Sequence, residues 1–425
     1  METPLTKHIR PDDSQLELKS YVRQGGYRVI KKILQEMAPA DVVAAVKAAN
    51  LLGRGGAGFP AGTKWSFISP DIKAEPVRYL VCNADEMEPG TFKDRYLMEK
   101  NPHQLIAGMI LASYAIRAGK AYIFLRWAYK KSEMILRKAI AQAYDAGYLG
   151  KNILGSGFDL ELYLHTSAGR YICGEETGLL NSLEGKRAIP RDKPPFPAIS
   201  GLFGKPTVIN NVETLSYVPH ILENGAEWFK KLSLTGEGGT KIYGVSGKVK
   251  NPGLWELPLG TPMREIIEVH AGGMLDGHSL RAALPGGAST DFIAESQMDV
   301  AMDFASLVPL KSRMGTGTII VLDDKTCPVA FIHNLERFFA LESCGWCTPC
   351  REGLPWVEKI LLNIENGNGS ERDLDILRFH TRYCAPGHTF CAHAPGAMEP
   401  LQSGLTLFLE DFMTHIHQKH CPWKS

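Results

Sequence analysis

The chain has 425 residues, more than one ordinary core absorbs, so several domains are expected. Its 44% apolar and 22% charged content is that of a folded globular protein and excludes wholesale disorder. With 47 Lys plus Arg against 46 Asp plus Glu, there is no net charge to draw it to nucleic acid or to an anionic membrane surface.

Residues 1–13 are polar and lack the apolar centre of a signal peptide. From 27 to 50 the apolar spacing is helical, as in Val42, Val43, Val46 and Ala49, and glycines then crowd in at Gly53, Gly55, Gly56, Gly58 and Gly62. An alternation follows: a strand over 78–82, a helix over 102–117, a strand over 121–125, a helix over 131–146 and a strand over 158–165. Strand, helix, strand, helix, strand implies an α/β layer with a largely parallel sheet. The longest apolar run, 105–116, ends at Arg117 and falls short of the roughly 20 residues of a bilayer span, so a cytosolic chain without a transmembrane helix is expected. Between 239 and 325, short β-like pieces (242–249, 318–322) flank a helix over 262–270, which suggests a small α+β module. Helical patterns over 331–341, 354–364, 370–383 and 398–417 then suggest a bundle.

Seven of the nine cysteines fall in the last quarter of the chain, where a reducing compartment favours metal or redox roles over disulfides. Cys344, Cys347 and Cys350 repeat a two-residue spacing that wraps one loop around three corners of an iron–sulfur cube, and Cys384 or Cys391 could supply the fourth. Zinc is the alternative, held by Cys347 and Cys350 with Cys384 and Cys391 or with His388 or His393.

Residues 53–58 match G-x-G-x-x-G, but a helix rather than a strand precedes them and Phe59-Pro60 follows, so an ordinary dinucleotide fingerprint is rejected. What remains is a loop whose backbone N–H groups can approach an anion, with Arg54 and Lys64 nearby in sequence; a ligand-free turn is the plain alternative. Asn83, Asp85, Glu86 and Glu88 follow the first strand, where open α/β sheets bind ligands, although three carboxylates so close also suit a solvated turn. Tyr171 to Thr177 lead into a helix whose N-terminus either binds an anion or is capped by Thr177 and its acidic neighbours. Lys193 and Phe196, in a Pro-rich basic stretch, suit stacking on a planar ring and phosphate contacts, or a rigid surface loop.

The stretches 53–59, 83–90, 171–176, 210–214, 342–351 and Cys391 resemble the NADH-binding flavoprotein subunit of respiratory complex I, in its bacterial form. The resemblance runs from about 20 to 415. It implies a Rossmann-like FMN domain, a small α+β (β-grasp-like) domain and a C-terminal helical bundle carrying a [4Fe–4S] cluster. Domains are expected at 1–70 (helical segment and glycine loop), 71–238 (FMN and NADH), 239–326 (β-grasp-like) and 327–425 (cluster bundle).

By motif, FMN is expected at Gly53, Arg54, Gly55, Lys64, Asn83, Asp85, Glu86, Tyr171, Gly174, Glu175, Asn210, Asn211 and Thr214. NADH is expected at Phe59, Phe67, Glu88, Glu176, Lys193 and Phe196, and the cluster on Cys344, Cys347, Cys350 and Cys391. Cys384 matches no family ligand. The resemblance also implies hydride transfer from NADH to FMN without a catalytic side chain, then single electrons to the cluster. The expected partners are a thioredoxin-like [2Fe–2S] subunit and the large iron–sulfur subunit of the peripheral arm, at the cytoplasmic face of the inner membrane. Alternatives are the equivalent subunit of an NAD-linked hydrogenase or formate dehydrogenase, and a non-enzymatic zinc-binding scaffold.

Overall fold

The computed structural model describes residues 2–10 and 14–424, so part of the polar stretch read over 1–13 lies outside the described residues. The chain forms two compact units: Met1–Met87 with Phe92–Ile242 and Glu256–Gly260, and Glu88–Thr91 with Tyr243–Trp255 and Thr261–Ser425.

In the first unit, α1 (Leu18–Arg23), α2 (Arg28–Glu36) and α3 (Pro39–Ala48) lead into the glycine loop, and α4 (Ala61–Ser66) follows it. The single helical stretch expected over 27–50 is therefore two helices. Pro39 lacks the N–H that would extend α2, and Ala38 before it is extended at ψ 152°. The sheet comprises β1 (Tyr79–Ala84), β2 (Lys120–Leu125), β3 (Glu161–Thr166) and β4 (Thr207–Asn211), in the order β3-β2-β1-β4 with every pairing parallel. Strands buried on both faces read as apolar runs rather than alternations, as Tyr-Leu-Val-Cys in β1 does.

The helices of this unit are α5 (Lys93–Lys100), α6 (Pro102–Ile116), α7 (Lys130–Asp145), α8 (Glu176–Leu183), α9 (Val212–Asn224) and α10 (Ala226–Lys231). The long apolar run belongs to α6, which is buried along almost its whole length. Gly108 lets it cross α9 so closely that a Cβ there would lie 2.0 Å from the Leu215 carbonyl oxygen. It is a core helix, and no helix among the described residues is long and apolar enough to cross a membrane.

The second sheet joins β5 (Thr240–Ser246), β6 (Gly253–Pro258), β7 (Leu280–Leu284), β8 (Ile293–Ala294) and β9 (Thr318–Asp323) in the order β6-β5-β9-β7-β8. β5 runs parallel to β9, and β7 antiparallel to both β8 and β9. The helix expected over 262–270 is a single turn, α11 (Met263–Glu265), continued by a π-helical turn to His270.

The C-terminal helices are α12 (Pro328–Glu342), α13 (Thr348–Glu365), α14 (Glu371–Tyr383), α15 (His393–Leu407) and α16 (Leu409–Gln418). The last expected helix is thus two, broken where Phe408 leaves helical geometry at φ −118°, ψ 25°. The α/β class, the parallel sheet and the helical C-terminal region are as the sequence predicts.

Candidate functional site

The sheet's strand order reverses at β1, with β2 and β3 on one side and β4 on the other. Ligands of open α/β sheets bind beyond the carboxyl ends of strands at such a reversal. Four of the segments singled out in the sequence meet there, all within the first unit. Asn83 Nδ2, at the end of β1, donates to the Gly174 carbonyl at 2.8 Å. Arg54 N donates to Thr214 Oγ1, in the first turn of α9, at 2.8 Å. Gly55 lies so near Asn211, at the end of β4, that a Cβ there would stand 3.1 Å from the asparagine's own. Trp65 Nε1 donates to Asn210 Oδ1 at 2.8 Å. Tyr171 opens the 3₁₀ turn that ends at Gly174.

The carboxylates after β1 are not a solvated turn. Asp85 and Glu86 are buried. Asp85 Oδ1 accepts from Ser167 Oγ at 2.6 Å, and Glu86 accepts from the Asp94 and Arg95 N–H groups at 2.8 and 3.0 Å and from the Tyr129 hydroxyl at 3.0 Å. Burial, and then Asp94, push the Glu86 carboxyl well above the usual range, against Lys93 and the two N–H bonds. Glu88 lies in the second unit, where its Oε1 accepts from the Ser289 N–H at 2.7 Å.

The cap of α8 is Glu175, not Thr177. Its Oε2 accepts from the N–H groups of Thr177 and Gly178 at 2.8 and 2.7 Å, a carboxylate at the positive end of a helix. The next residue, Glu176, stands between two ammonium groups: Lys64 Nζ at 3.1 Å and Lys193 Nζ at 2.8 Å. Phe59 and Phe67 are exposed, with ring centroids 6.1 Å apart, and Phe196 is 55% exposed. Aromatic faces held open beside fixed charges suit a planar, charged ligand.

Arg54 is completely buried rather than a loose charge on the glycine loop. Its guanidinium lies over the Tyr217 ring, 5.6 Å from the centroid, and Nη2 donates to the Gly238 carbonyl at 3.0 Å. Nε and Nη1 are buried without a hydrogen-bond partner. Unused donors on a buried cation beside a glycine loop fit an anionic group such as the phosphate of FMN.

Sequence reading missed the groups beneath the site. Lys93, Asp94, Glu213 and Lys241 are all buried. Glu213 Oε2 meets Lys93 Nζ at 2.9 Å and Lys241 Nζ at 2.7 Å, while Asp94 Oδ2 accepts from Asn211 Nδ2 at 2.6 Å. Lys93 faces Asp94, Glu213 and Glu86, which overcome its burial and keep it protonated. Lys241 has Glu213 alone against burial and the repulsion of Lys93 and Arg54, and it is pushed down to about 7. The only local signal was Glu213 within the Asn210–Thr214 motif. An open hollow of about 610 Å³ lies at the other end of the sheet, where β1, β2 and β3 begin, away from these groups.

In the second unit, Cys344 and Cys347 lie on the loop before α13, Cys350 is in that helix's first turn, and Cys391 sits just before α15. Cys350 is buried against Ser343 Oγ at 3.2 Å. Burial pushes its thiol up to about 12, with Cys347, Cys391 and Cys344 each adding to the rise. Among the described residues the four thiols do not draw within 4.8 Å of one another, as ligands of a single ion would. That donor set fits a [4Fe–4S] cube, whose irons separate the thiolates. His393 is not available to a zinc ion through Nε2, which faces the Phe339 carbonyl at 2.8 Å. Cys384 ends α14, with its Sγ 3.5 Å from the Pro349 carbonyl and packed against Gly353.

Three family models match the chain: the Nuo51 FMN-binding domain over residues 46–220, the SLBB domain over 242–292, and the NADH-ubiquinone oxidoreductase-F iron-sulfur binding region over 330–415. The NADH-quinone oxidoreductase-F protein of Escherichia coli (strain K12) is 54% identical over 415 residues, covering 98% of this chain and 93% of that protein. Its counterpart in Mycobacterium tuberculosis is 45% identical over 430 residues, covering 99% and 96%. Among solved structures, an NAD+-reducing [NiFe]-hydrogenase in the H2-reduced state is similar at TM-score 0.84 and 35% identity, over 96% of this chain and 67% of that one. With near full-length identity of this order, the chain belongs to the NADH-quinone oxidoreductase-F family.

Proposed function

We propose that FMN binds in the first unit at the carboxyl ends of β1 and β4, and that NADH is received beside it by Phe59, Phe67, Glu176, Lys193 and Phe196. The chain is the NADH-oxidising, electron-input subunit of a quinone oxidoreductase, with FMN and a [4Fe–4S] cluster as cofactors and NADH as substrate. Held by these residues, FMN would supply the hydride-accepting chemistry and release electrons singly, and a cluster held by Cys344, Cys347, Cys350 and Cys391 would supply the one-electron relay.

The residues of the chain bind and orient. The observation that carries the reading is Arg54, on the glycine loop that meets Asn211 and Thr214, whose buried guanidinium keeps two N–H donors unused. A phosphate there would satisfy them, and a buried donor left unpaired costs about 1–3 kcal/mol. Asn83 ties the end of β1 to Gly174, which fixes the spacing of the two walls. Lys93 and Asp94 hold the amide of Asn211 from both ends, and Glu213 anchors Lys93 beneath it. No side chain has to move a proton in this step, so the absence of a catalytic acid or base is part of the proposal.

For the cluster, Cys344, Cys347, Cys350 and Cys391 are the proposed ligands. The partners proposed are the thioredoxin-like [2Fe–2S] subunit and the large iron–sulfur subunit, with the complex attached to the cytoplasmic face of the inner membrane. Support for partner subunits comes from the relatives, each named as one subunit of an oxidoreductase. Quinone is not expected to touch this chain. The likeness to the NAD+-reducing hydrogenase favours a second reading, an electron-input subunit of such an enzyme, but 35% identity stands well below 54%.

The test is an anaerobic titration of the FMN-loaded full-length chain with NADH. The flavin absorbance is expected to bleach and then return on adding an oxidant. Flavin that stays oxidised in excess NADH overturns the proposal.

A further inference from the structure

Cys327, Glu365, His415 and Cys421 take no part in the sites described above, yet they meet inside the second unit. Cys327 is the N-cap of α12, Glu365 ends α13, His415 is on α16, and Cys421 lies on the turn after it. All four are buried, and one ligand atom from each lies within 4.8 Å of the others. Cys327 Sγ is 3.3 Å from Glu365 Oε2 and 3.3 Å from His415 Nε2, and those two are 3.3 Å from each other. The ligands of a tetrahedral zinc ion, at bond lengths of about 2.0–2.3 Å, stand roughly 3.3–3.8 Å apart.

We propose that these four side chains bind a structural zinc ion, separate from the iron–sulfur cluster, that ties the C-terminal turn to the ends of α12, α13 and α16.

The surroundings are those of a metal site. His415 Nδ1 meets the Asp411 carbonyl at 2.7 Å, and a proton on Nδ1 leaves Nε2 bare toward the other three groups. Zinc-bound histidines are commonly oriented in this way. Cys327 Sγ accepts the Ala330 N–H at 3.4 Å, from the positive end of a 15-residue helix, which favours the thiolate. Lys424 Nζ stands 3.0 Å from the other carboxylate oxygen of Glu365. Two thiolates and one carboxylate, with a divalent cation and that ammonium, sum to zero charge in a buried space. The Trp423 ring stacks on His415 at 14°, closing one side. Two sulfurs, one imidazole nitrogen and one carboxylate oxygen, with no open position, select zinc over magnesium or calcium and describe a structural rather than a catalytic site.

Metal analysis of the full-length holoprotein, purified without a metal column, tests this directly. About one zinc per chain is expected beyond the cluster iron, with an X-ray absorption signature of mixed sulfur and nitrogen or oxygen ligands. C421S and H415Q are each expected to lose that zinc and lower Tm, while FMN and iron content stay unchanged. Because a variant could fail to fold, the unmodified protein is also stripped with a chelator and titrated with Co2+, which should give the intense visible bands of tetrahedral thiolate coordination. The proposal is overturned if the unmodified protein holds no zinc and takes up neither zinc nor cobalt. It is equally overturned if mass spectrometry finds Cys327 and Cys421 joined as a disulfide, or if folded C421S and H415Q both retain the metal.

Discussion

Glu176 sits between Lys64 and Lys193, and their attraction outweighs its burial to hold the carboxyl below the usual range. A fixed negative charge beside the proposed nucleotide site repels the 2′-phosphate of NADPH. The unmodified chain is therefore expected to prefer NADH strongly, and Glu176→Ala to narrow the ratio of kcat/KM values by about tenfold, which is about 1.4 kcal/mol. Equal kcat/KM for the two nucleotides before mutation would refute this. Glu213 shows a different use of charge. Burial alone would raise its pKa from 4.5, but Lys241, Lys93 and Arg54 pull it down to about 2. Because its folded value lies below the unfolded one, this carboxylate contributes stability above about pH 4.5 that is lost as pH falls toward about 2. Glu213→Gln should cost about 3–5 kcal/mol near neutrality, by taking one counter-charge from the buried Lys93 ammonium and the only one from Lys241, which is already pushed down to about 7. Urea midpoints measured across the acid range should also fall less steeply in that variant than in the parent. An unchanged acid slope would show that other carboxylates govern it.

At the scale of elements, legibility followed burial pattern. The apolar runs of β1 and β2 and the long apolar helix α6 were visible because sheets and helices covered on all sides carry continuous apolar sequence. Strand β4 was missed because it is only five residues, two of them the asparagines of a binding motif. Helix α5 was missed because Lys93, Asp94 and Lys100 are buried in it, which reverses the usual polar-out pattern. The loop between α14 and α15 holds two cysteines with different surroundings. Cys384 is 1% exposed and packed on α13, and burial, then Glu336 and Cys347, push its thiol up to about 11. Cys391 is partly exposed, and Cys350 feels its charge. Cys384→Ala is expected to keep the full iron content and cluster reduction by NADH, whereas Cys391→Ala should lose or degrade the cluster. Iron analysis with electron paramagnetic resonance of the reduced protein decides, and the opposite pattern would reverse the ligand assignment.

For the molecule as a whole, the proposed flavin residues belong to one compact unit and the cluster cysteines to the other. Removing a cluster ligand should therefore leave flavin chemistry intact. Cys347→Ser is expected to bind FMN as the parent does and to reduce an artificial acceptor that draws electrons from flavin. Transfer onward to a partner's iron–sulfur centre should fall to background. Loss of FMN from a folded Cys347→Ser chain would show that the two cofactors depend on each other.

Sequence alone determined the class of fold and the largely parallel sheet, because apolar periodicity is a local property, and the resemblance carried by its motifs implied the family and the cofactors. Three thiols in seven residues and a glycine loop keep their meaning wherever the chain places them. Tertiary structure alone decided that Glu175 rather than Thr177 caps α8, and that Arg54 turns inward over Tyr217. It also decided that Glu213 joins Lys93 and Lys241, and that Cys327, Glu365, His415 and Cys421 meet. Each of these pairings links residues far apart in the chain or depends on which way a side chain is buried. The energy of a charge or a thiol is set by what surrounds it, and only the packed chain supplies those surroundings.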